Sequence, residues 1–309
     1  MPTRALSSVT GVRAFVTGGH GFVGTWLRQH LEEQGDDVLA PDPELDITDL
    51  AAIRDAVTVY QPDALYHLAA LPHVGESWAD PTRSFRVNAE GTLCVLEAAR
   101  ACTRPPRVVF VGSGEVYGQV SGDRLPINED EPLMPVSPYA AGKAAAEMLA
   151  IQAGLAHGLP VVRARPFNHI GPRQSPTFVV SSLAREVAEA ERKGLKTVKI
   201  GNLSARRDFT DVRDVVRAYR LLAERGVAGQ AYNVCSGRDV AVEELARRLL
   251  GMADGELRLE VDPARLRAVD VPVVRGDRSR ITSATGWRPE IALDQTLADT
   301  LAYWRSELR

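Results

Sequence analysis

The feature that most constrains the fold is a glycine cluster, TGGHGFVG at residues 17–24. It lies between the apolar run VRAFVT and a segment with helical periodicity. Glycines at this place let the backbone turn tightly between a strand and a helix and approach a pyrophosphate at the helix N-terminus. The context therefore predicts a dinucleotide site. The cofactor contacts expected in this loop are Gly18, Gly21, Phe22, Val23 and Gly24.

Short apolar segments alternate with helical patterns through the first half of the chain. This alternation predicts an α/β fold, a Rossmann-type doubly wound parallel sheet with helices on both faces. From about residue 166 the alternation is lost. We predict a Rossmann domain over residues 1–165 and a smaller mixed α/β substrate domain over 166–309, with about 208–236 returning to the first sheet.

The composition argues against several functional classes. The 309 residues are 45% hydrophobic, and a net charge of −3 offers no electrostatic attraction to nucleic acid or an anionic membrane. No apolar run approaches the ~20 residues of a membrane span, and the N-terminal segment lacks a signal-peptide core. Cys94, Cys102 and Cys235 have no metal or redox spacing. We expect a soluble cytoplasmic protein without a bound metal, a nucleic-acid partner or a membrane anchor.

A carboxylate at the predicted end of the second strand bears on cofactor choice. Asp42 follows Gly24 by eighteen residues. In this position a carboxylate accepts hydrogen bonds from both hydroxyls of the adenosine ribose and repels a 2′-phosphate. The segment that follows has no arginine for such a phosphate. The sequence therefore favours NAD(H) and leaves NADP(H) open.

The segment SPYAAGK places Tyr139 and Lys143 four residues apart, on one face of a predicted helix that has Ser137 as its N-cap. An ammonium near a phenol lowers the pKa of the phenol, and the positive end of the helix dipole acts in the same direction. Such a tyrosine can pass a proton to or from a carbinol oxygen. For this pair alone, an exposed tyrosine and lysine without a role is the better interpretation.

The motifs taken together, in this order, resemble the extended short-chain dehydrogenase/reductase family. The resemblance includes HLAA (67–70), NAEGTLCVLEAAR (88–100) and RDFTDVRDVV (207–216). It implies a catalytic triad in which a serine binds the substrate oxygen, a tyrosine is the acid, and a lysine tunes the tyrosine and can hold the nicotinamide ribose. The triad residues are Ser113, Tyr139 and Lys143. The further cofactor contacts that it implies are Tyr139 and Lys143 of the triad, together with Asp46, Ile47, Leu68, Ala69 and Ala70.

The stretch VGSGEVYG (111–118) separates reactions within this family. In its dTDP-glucose dehydratases an Asp–Glu pair follows the triad hydroxyl residue, whereas this chain has Gly114 and Glu115. Glycine cannot donate a proton, so the sequence disfavours 4,6-dehydration, although GDP-mannose dehydratases have a serine there. Glu115 is either a structural carboxylate or a ligand of the sugar hydroxyls.

The second half of the chain resembles one subfamily more closely. RPFNHIGPRQSPTFV (165–179) and AYNVCSG (231–237) are similar to GDP-4-keto-6-deoxy-D-mannose reductases, which form GDP-D-rhamnose. A diphosphate needs cationic, preferably bidentate donors. The resemblance implies substrate contacts from Asn168, Arg185, Arg207 and Arg267. Ser77, in the segment LPHVGESW, is a further candidate sugar ligand, and for Arg185 a solvated helix face is nearly as good an interpretation.

Besides the disfavoured 4,6-dehydratase, which stays a secondary alternative, two other functions remain open at this point. A nucleotide-sugar 4-epimerase with tightly bound NAD uses the same triad, and VGES (74–77) resembles UDP-galactose epimerases. A non-catalytic dinucleotide-binding protein on the same fold is a lesser alternative. The family resemblance also implies a homodimer, formed through the helix after Asn88 and the helix that bears Tyr139.

Overall fold

A computed structural model describes residues 11–41, 45–262 and 271–309. Its strands, in chain order, are β1 (Arg13–Thr17), β2 (Asp37–Leu39), β3 (Ala64–His67), β4 (Arg107–Val111), β5 (Val161–Pro166), β6 (Asn168–Ile170), β7 (Thr197–Ile200), β8 (Arg206–Asp211), β9 (Ala231–Val234), β10 (Asp239–Ala241), β11 (Arg258–Val261) and β12 (Val273–Val274).

The helices surround these strands. They are α1 (Phe22–Glu33), α2 (Leu50–Tyr60), α3 (Val74–Ala79), α4 (Pro81–Phe85), α5 (Gly91–Arg100), α6 (Pro138–His157), α7 (Val179–Lys193), α8 (Val212–Arg225), α9 (Val242–Gly251), α10 (Ser279–Thr285) and α11 (Leu293–Glu307). A π-helical turn (Arg86–Glu90) precedes α5, and short 3₁₀ helices cover Gly114–Tyr117 and Gly122–Arg124.

Six parallel strands form the main sheet in the order β2-β1-β3-β4-β5-β9. The chain passes from β1 to β2 on one side and then returns to the other side as β3, so the strand order reverses between β1 and β3. Ligands of open α/β sheets bind outside the carboxyl ends of the strands at such a point. The glycine cluster follows β1 and residues 68–70 follow β3, so both lie at this point. The predicted fold class is confirmed.

Helices cover both faces of the sheet. On one face α1 and α8 pack through Leu27 and Tyr219 into a core shared with the strands. On the other face α2, α5 and α6 pack through Ile53, Val95 and Ala146. All five residues of β4 are buried, because a strand with helices on both sides has no solvent face. This burial explains the near-continuous apolar runs in the sequence.

The later part of the chain builds a separate core. Strand β8 pairs with β6, β10 and β12, while β7 pairs with β11. Helices α7, α9 and α11 pack together through Val187, Leu245 and Leu297. Strand β9 pairs with β5 in the main sheet. The domain division near residue 165 stays a prediction.

Local sequence signals account for where the functional helix begins and ends. The Ser137 hydroxyl accepts a hydrogen bond from the Ala140 N–H (3.1 Å), and Pro138 occupies the first turn of α6. The helix ends at Gly158, whose φ of +67° is a conformation that glycine adopts without strain. These two signals fix the register of the helix that carries Tyr139 and Lys143.

Candidate active site

The glycine cluster is packed so tightly that side chains are excluded. Gly18 has a φ of +74°, and a Cβ on it would lie 2.7 Å from the Ala69 nitrogen, in the loop after β3. A Cβ on Gly24 would overlap the Gly18 carbonyl oxygen. Glycine at these two positions therefore brings the loop after β1 against both α1 and the loop after β3.

The start of α1 fits a dinucleotide pyrophosphate. The helix begins after Gly21 without a side-chain cap, and its first turn has no acidic residue. An α-helix leaves its first N–H groups without partners in the helix, and the helix dipole places partial positive charge there. Phe22 and Val23 are half-buried in this first turn, and the Phe22 ring stacks on His169 with ring centroids 6.1 Å apart. The backbone of this turn is the part of the chain that would hold the pyrophosphate.

The other expected cofactor contacts lie around β3 and α2. Leu68, Ala69 and Ala70 are half-buried, and the Leu68 N–H donates to the Thr17 carbonyl (3.1 Å). Asp46 is exposed, and hydrogen bonds from the Thr48 N–H and hydroxyl lower the pKa of its carboxyl group.

Ile47 and Asp42 were also expected to contact the cofactor. Ile47 is buried against Gly91, where an added Cβ would lie 2.6 Å from the Ile47 Cδ1. Asp42, on which the preference for NAD(H) depended, lies outside the described residues.

The structure brings the three triad residues to the carboxyl end of β4. Ser113 follows the strand and is the N-cap of the 3₁₀ helix Gly114–Tyr117, where its Oγ accepts a hydrogen bond from the Glu115 N–H (3.1 Å). The Ser113 side chain lies near the Tyr139 phenol, where it acts to lower the pKa of that phenol against the effect of burial. The Lys143 ammonium donates to the carbonyl oxygen of Val111, the last residue of β4 (2.9 Å). All three triad residues are buried.

Burial dominates the protonation of this group. It raises the pKa of Tyr139 to about 12. The nearby Ser113 side chain acts in the opposite direction, and the Glu115 charge acts in the same direction as burial. It lowers the pKa of Lys143 to about 8. The sequence led us to expect a lowered tyrosine pKa. The structure differs because the desolvation penalty on a buried phenolate outweighs the favourable effect of Ser113.

Ser77 contacts the backbone of Tyr139. Its hydroxyl donates to the Val74 carbonyl (2.7 Å) and accepts from the Tyr139 backbone N–H (3.1 Å). The residue is only 2% exposed. These two hydrogen bonds attach the first turn of α6 to α3, so the structure gives Ser77 a contact with the triad helix.

The glycine after the triad serine is enclosed by an aromatic ring. A Cβ on Gly114 would lie 3.2–3.3 Å from three ring carbons of Phe167. Phe167 is itself buried, and Gly276 and Cys235 lie against it. A longer acidic side chain at this position would require the ring to move. Glu115 is half-buried at the same turn.

The expected substrate residues are spread over several elements. Asn168 is half-buried on β6, and Arg207 is half-buried on β8, where it donates to the Arg206 carbonyl (2.9 Å). Arg185 is engaged on α7 by Glu189 (2.9 Å) and lies over the Trp304 ring (5.7 Å). Arg267 lies outside the described residues. These contacts place the Arg185 side chain on the surface of α7, which agrees with the alternative interpretation as a helix-face residue.

Sequence reasoning missed a group of buried polar residues beneath the triad. Glu147 follows Lys143 by four residues on α6 and is fully buried against Arg163 and Arg165 of β5. Asn88, in the π-helical turn, accepts from the Leu71 N–H (2.8 Å) and so holds the segment after β3. A signal for Glu147 was present, since an acidic residue repeats the four-residue spacing of Tyr139 and Lys143 on an alanine-rich helix.

Comparison with known proteins identifies the family. The family model described as GDP-mannose 4,6-dehydratase matches residues 43–300. The chain belongs to this family. GDP-6-deoxy-D-mannose reductase from Pseudomonas aeruginosa is 41% identical over 301 residues, which cover 96% of this chain and 98% of that protein. The predicted resemblance to extended short-chain dehydrogenases/reductases is therefore confirmed.

Solved structures of family relatives agree with the fold. The structure of RMD from Pseudomonas aeruginosa complexed with NADPH has a TM-score of 0.89 and 40% identity, and the match covers 96% of this chain and 99% of that one. UDP-glucose 4-epimerase from Thermus thermophilus, in complex with NAD, has a TM-score of 0.85 and 30% identity over 95% and 99% of the two chains. Both nicotinamide dinucleotides thus occur among the similar structures.

The structure also bears on membrane-spanning helices and metal sites. None of the helices in the described part of the chain is both long and apolar enough to cross a membrane. Within residues 11–41, 45–262 and 271–309, no three His, Cys, Asp or Glu side chains gather in a way that could hold a metal ion.

Proposed function

We propose that this chain reduces the 4-keto group of GDP-4-keto-6-deoxy-D-mannose to give GDP-D-rhamnose, with NADH or NADPH as the reductant. One observation carries the proposal: Ser113, Tyr139 and Lys143 are buried together at the carboxyl end of β4, and the residue after the serine is Gly114, which cannot act as an acid. The 41% identity with a GDP-6-deoxy-D-mannose reductase supports the same substrate class.

Reduction of a ketone requires a hydride at carbon and a proton at oxygen. A bound nicotinamide supplies the hydride to carbon 4. The Ser113 hydroxyl binds the 4-oxygen, and the Tyr139 hydroxyl donates its proton to that oxygen as the charge develops. The raised pKa of Tyr139, about 12, keeps the phenol protonated at neutral pH, which is the form that a reductase needs. Lys143 is proposed to hold the nicotinamide ribose and to tune Tyr139.

The substrate contacts are also proposals. Arg207 and Arg267 would pair with the diphosphate, since arginine presents a planar fork to phosphate oxygens. Asn168 and Glu115 would hydrogen-bond to the nucleotide sugar. Arg185 has the least support, because its guanidinium already pairs with Glu189.

Three further proposals concern the preferred nicotinamide cofactor, the oligomeric state and the cellular location. A preference for NADH over NADPH rests on Asp42 in the sequence. We propose a homodimer formed by α5 and α6, whose outer faces expose Leu93, Met148 and Leu155. A reducing cytoplasmic location is supported by the free, buried state of Cys94, Cys102 and Cys235.

The test is the nicotinamide absorbance of the purified protein mixed with GDP-4-keto-6-deoxymannose and NADH, then NADPH. We expect stoichiometric oxidation, lost by at least about 100-fold in Tyr139→Phe because a general acid contributes about 10²–10⁴-fold. The binding of cofactor by Tyr139→Phe, measured by fluorescence, should be retained. No oxidation with either cofactor would contradict the substrate assignment.

A 4-epimerase is the second candidate, because it uses the same triad and because a UDP-glucose 4-epimerase shares 30% identity with this chain. The two functions differ in cofactor turnover. An epimerase regenerates its NAD in every cycle, so UDP- or dTDP-sugars would interconvert without net change in absorbance. Epimerisation combined with no net oxidation of NADH would favour this candidate over the reductase.

A further inference from the structure

The triad residues belong to two different elements, and Glu115 lies beside the triad serine. Ser113 and Glu115 belong to the turn after β4, which continues as the 3₁₀ helix Gly114–Tyr117, whereas Tyr139 and Lys143 belong to α6. Proton transfer depends on the distance between them, and small misplacements of reacting groups cost large factors in rate. The surroundings of the triad must therefore keep the turn and the helix in one relative position.

A single arginine contacts both elements. On one side the Arg165 guanidinium binds the Glu147 carboxylate of α6, with Nη2 2.6 Å from Oε1 and Nε 3.1 Å from both oxygens. On the other side Nη1 donates to the Tyr117 hydroxyl (2.7 Å), in the last residue of the 3₁₀ helix. Arg165 is a residue of β5, so the contacts from both elements end on the central sheet.

The positions of these partners relate them directly to the triad. Glu147 lies four residues after Lys143 and eight after Tyr139, so all three face the same side of α6. Tyr117 lies four residues after Ser113. Arg165 thus holds each triad element about one or two turns away from its catalytic side chain.

Every member of this network is buried and has defined partners. Glu147 is 0% exposed, Tyr117 1% and Arg165 4%. The Tyr117 hydroxyl donates onward to Asn233 Oδ1 (2.7 Å), and Arg165 Nη1 also donates to the Glu129 carbonyl (3.0 Å). A satisfied polar network in a low-dielectric interior rigidifies its surroundings, because any displacement leaves a buried group without its partner.

A second arginine on the same carboxylate shows what is particular to Arg165. Arg163 also binds Glu147 Oε1 (2.6 Å), so the charge of the carboxylate is compensated even without Arg165. Arg163 also donates to the Gly229 carbonyl (2.8 Å), away from the turn. Compensation of charge is common to both arginines, whereas the contact with Tyr117 belongs to Arg165.

We propose that Arg165 is a positioning residue, which sets the distance between Ser113 and Tyr139 by joining the Tyr117 hydroxyl to Glu147. It touches neither substrate nor cofactor. The kinetic part of this inference rests on the proposed function, because it is expressed as a rate of ketone reduction.

The experiment compares three single variants. Arg165→Lys keeps the charge and loses the planar fork, Tyr117→Phe removes one hydroxyl, and Arg163→Lys is the matched control on the same carboxylate. We expect kcat to fall roughly 10–100-fold in Arg165→Lys and several-fold in Tyr117→Phe. In both variants KM for the keto sugar and Kd for NADH should stay within about threefold of wild type. In Arg163→Lys kcat should be retained.

A purely structural role predicts a different pattern. Equal losses of kcat in Arg163→Lys and Arg165→Lys, or a fall in Tm with kcat unchanged, would overturn the proposal. Tyr117→Phe keeps the test decisive if Arg165→Lys does not fold, because an unchanged kcat in that variant contradicts the role of the hydroxyl.

A readout independent of the sugar separates this inference from the proposed function. Crystal structures of wild type and Tyr117→Phe give the distance between Ser113 Oγ and Tyr139 Oη. A longer distance in the variant supports the proposal, and an unchanged distance overturns it. Wild-type protein that oxidises no NAD(P)H with the keto sugar contradicts the proposed function alone.

Discussion

The Ser77 hydroxyl makes two hydrogen bonds within the protein. It donates to the Val74 carbonyl and accepts from the Tyr139 N–H. In Ser77→Ala that buried N–H loses its acceptor, which costs about 1–3 kcal/mol. We expect a lower free energy of unfolding and a reduced kcat, with KM for the keto sugar nearly unchanged. Urea unfolding and steady-state kinetics measure both quantities.

Ser84 supplies the control for that variant. It is 2% exposed, like Ser77, but its Oγ has no hydrogen-bond partner within the described residues. Ser84→Ala should therefore leave kcat unchanged. A raised KM with an unchanged kcat in Ser77→Ala would instead support Ser77 as a ligand of the sugar, as the sequence suggested.

At Gly114 the sequence motif lacks an acidic side chain, and the packing leaves no room for one. An added side chain there meets the Phe167 ring at 3.2 Å, and overpacking of this kind costs about 1–3 kcal/mol. We expect Gly114→Asp to unfold at lower urea concentration than wild type and to produce no keto sugar from GDP-mannose. The double variant Gly114→Asp with Phe167→Leu should recover part of the stability. A single variant as stable as wild type would contradict this account.

The buried ammonium of Lys143 makes stability depend on pH in a definite direction. Burial lowers the pKa of Lys143 from its usual 10.5 to about 8. Between these values the unfolded chain binds a proton that the folded chain does not, so the contribution of Lys143 to the free energy of unfolding rises with pH. The stability difference between wild type and Lys143→Met should therefore grow in favour of wild type from pH 8 to pH 10.

An exposed lysine provides the reference for this measurement. Lys193 is half exposed at the end of α7, so Lys193→Met should differ from wild type by a nearly constant amount over the same range. Urea unfolding at several pH values gives the comparison. A constant difference for Lys143→Met as well would show that its ammonium is not desolvated.

At the scale of elements, the close packing of α1 on the glycine loop gives the next prediction. A Cβ at Gly24 overlaps the Gly18 carbonyl, so Gly24→Ala must push α1 away from the loop that would hold the pyrophosphate. We expect Kd for NADH to rise at least about tenfold, equivalent to ~1.4 kcal/mol. Fluorescence titration measures it.

Gly251 offers a matched glycine for that variant, because a Cβ there meets no atom within 4 Å. Gly251→Ala should bind NADH as wild type does. Equal affinities of Gly24→Ala and wild type would show that the loop tolerates the displacement.

The elements also show how far the sequence could predict this molecule. The helix predicted to begin after Ser137 corresponds to α6 (Pro138–His157), because an N-cap is a local signal. The π-helical turn Arg86–Glu90 and the pairing of Glu147 with Arg165 were not predicted. Glu147 and Arg165 are 18 residues apart on a helix and a strand, and only the folded sheet brings them together.

The candidate site divides in the same way. The glycine loop could be found because its spacing within one turn carries the chemistry, whereas the triad was recognised from the order of several motifs taken together. The protonation of Tyr139 was misjudged because its pKa is governed by burial, a property of the whole packing. The partner of Arg185 on its own helix, Glu189, was visible in the sequence as an i,i+4 pair.

At the scale of the whole molecule, the exposed apolar side chains on α5 and α6 bear on the proposed homodimer. Met148 and Leu155 are seven residues apart on α6 and are 48% and 85% exposed, and Leu93 on α5 is 39% exposed. Aligned apolar side chains of this kind are typical of surfaces that a partner covers. We expect sedimentation equilibrium to give twice the 33.6 kDa chain mass.

Charges placed on this surface should separate the subunits, because an interface core that buries two carboxylates without partners is strongly disfavoured. Met148→Glu combined with Leu155→Glu should shift the mass to that of one chain, while the fold is retained by circular dichroism. Val59→Glu, on α2 and 84% exposed, is the control and should leave the mass unchanged. A double variant that remains dimeric would place the interface elsewhere on the molecule, and a monomeric wild type would contradict the homodimer itself.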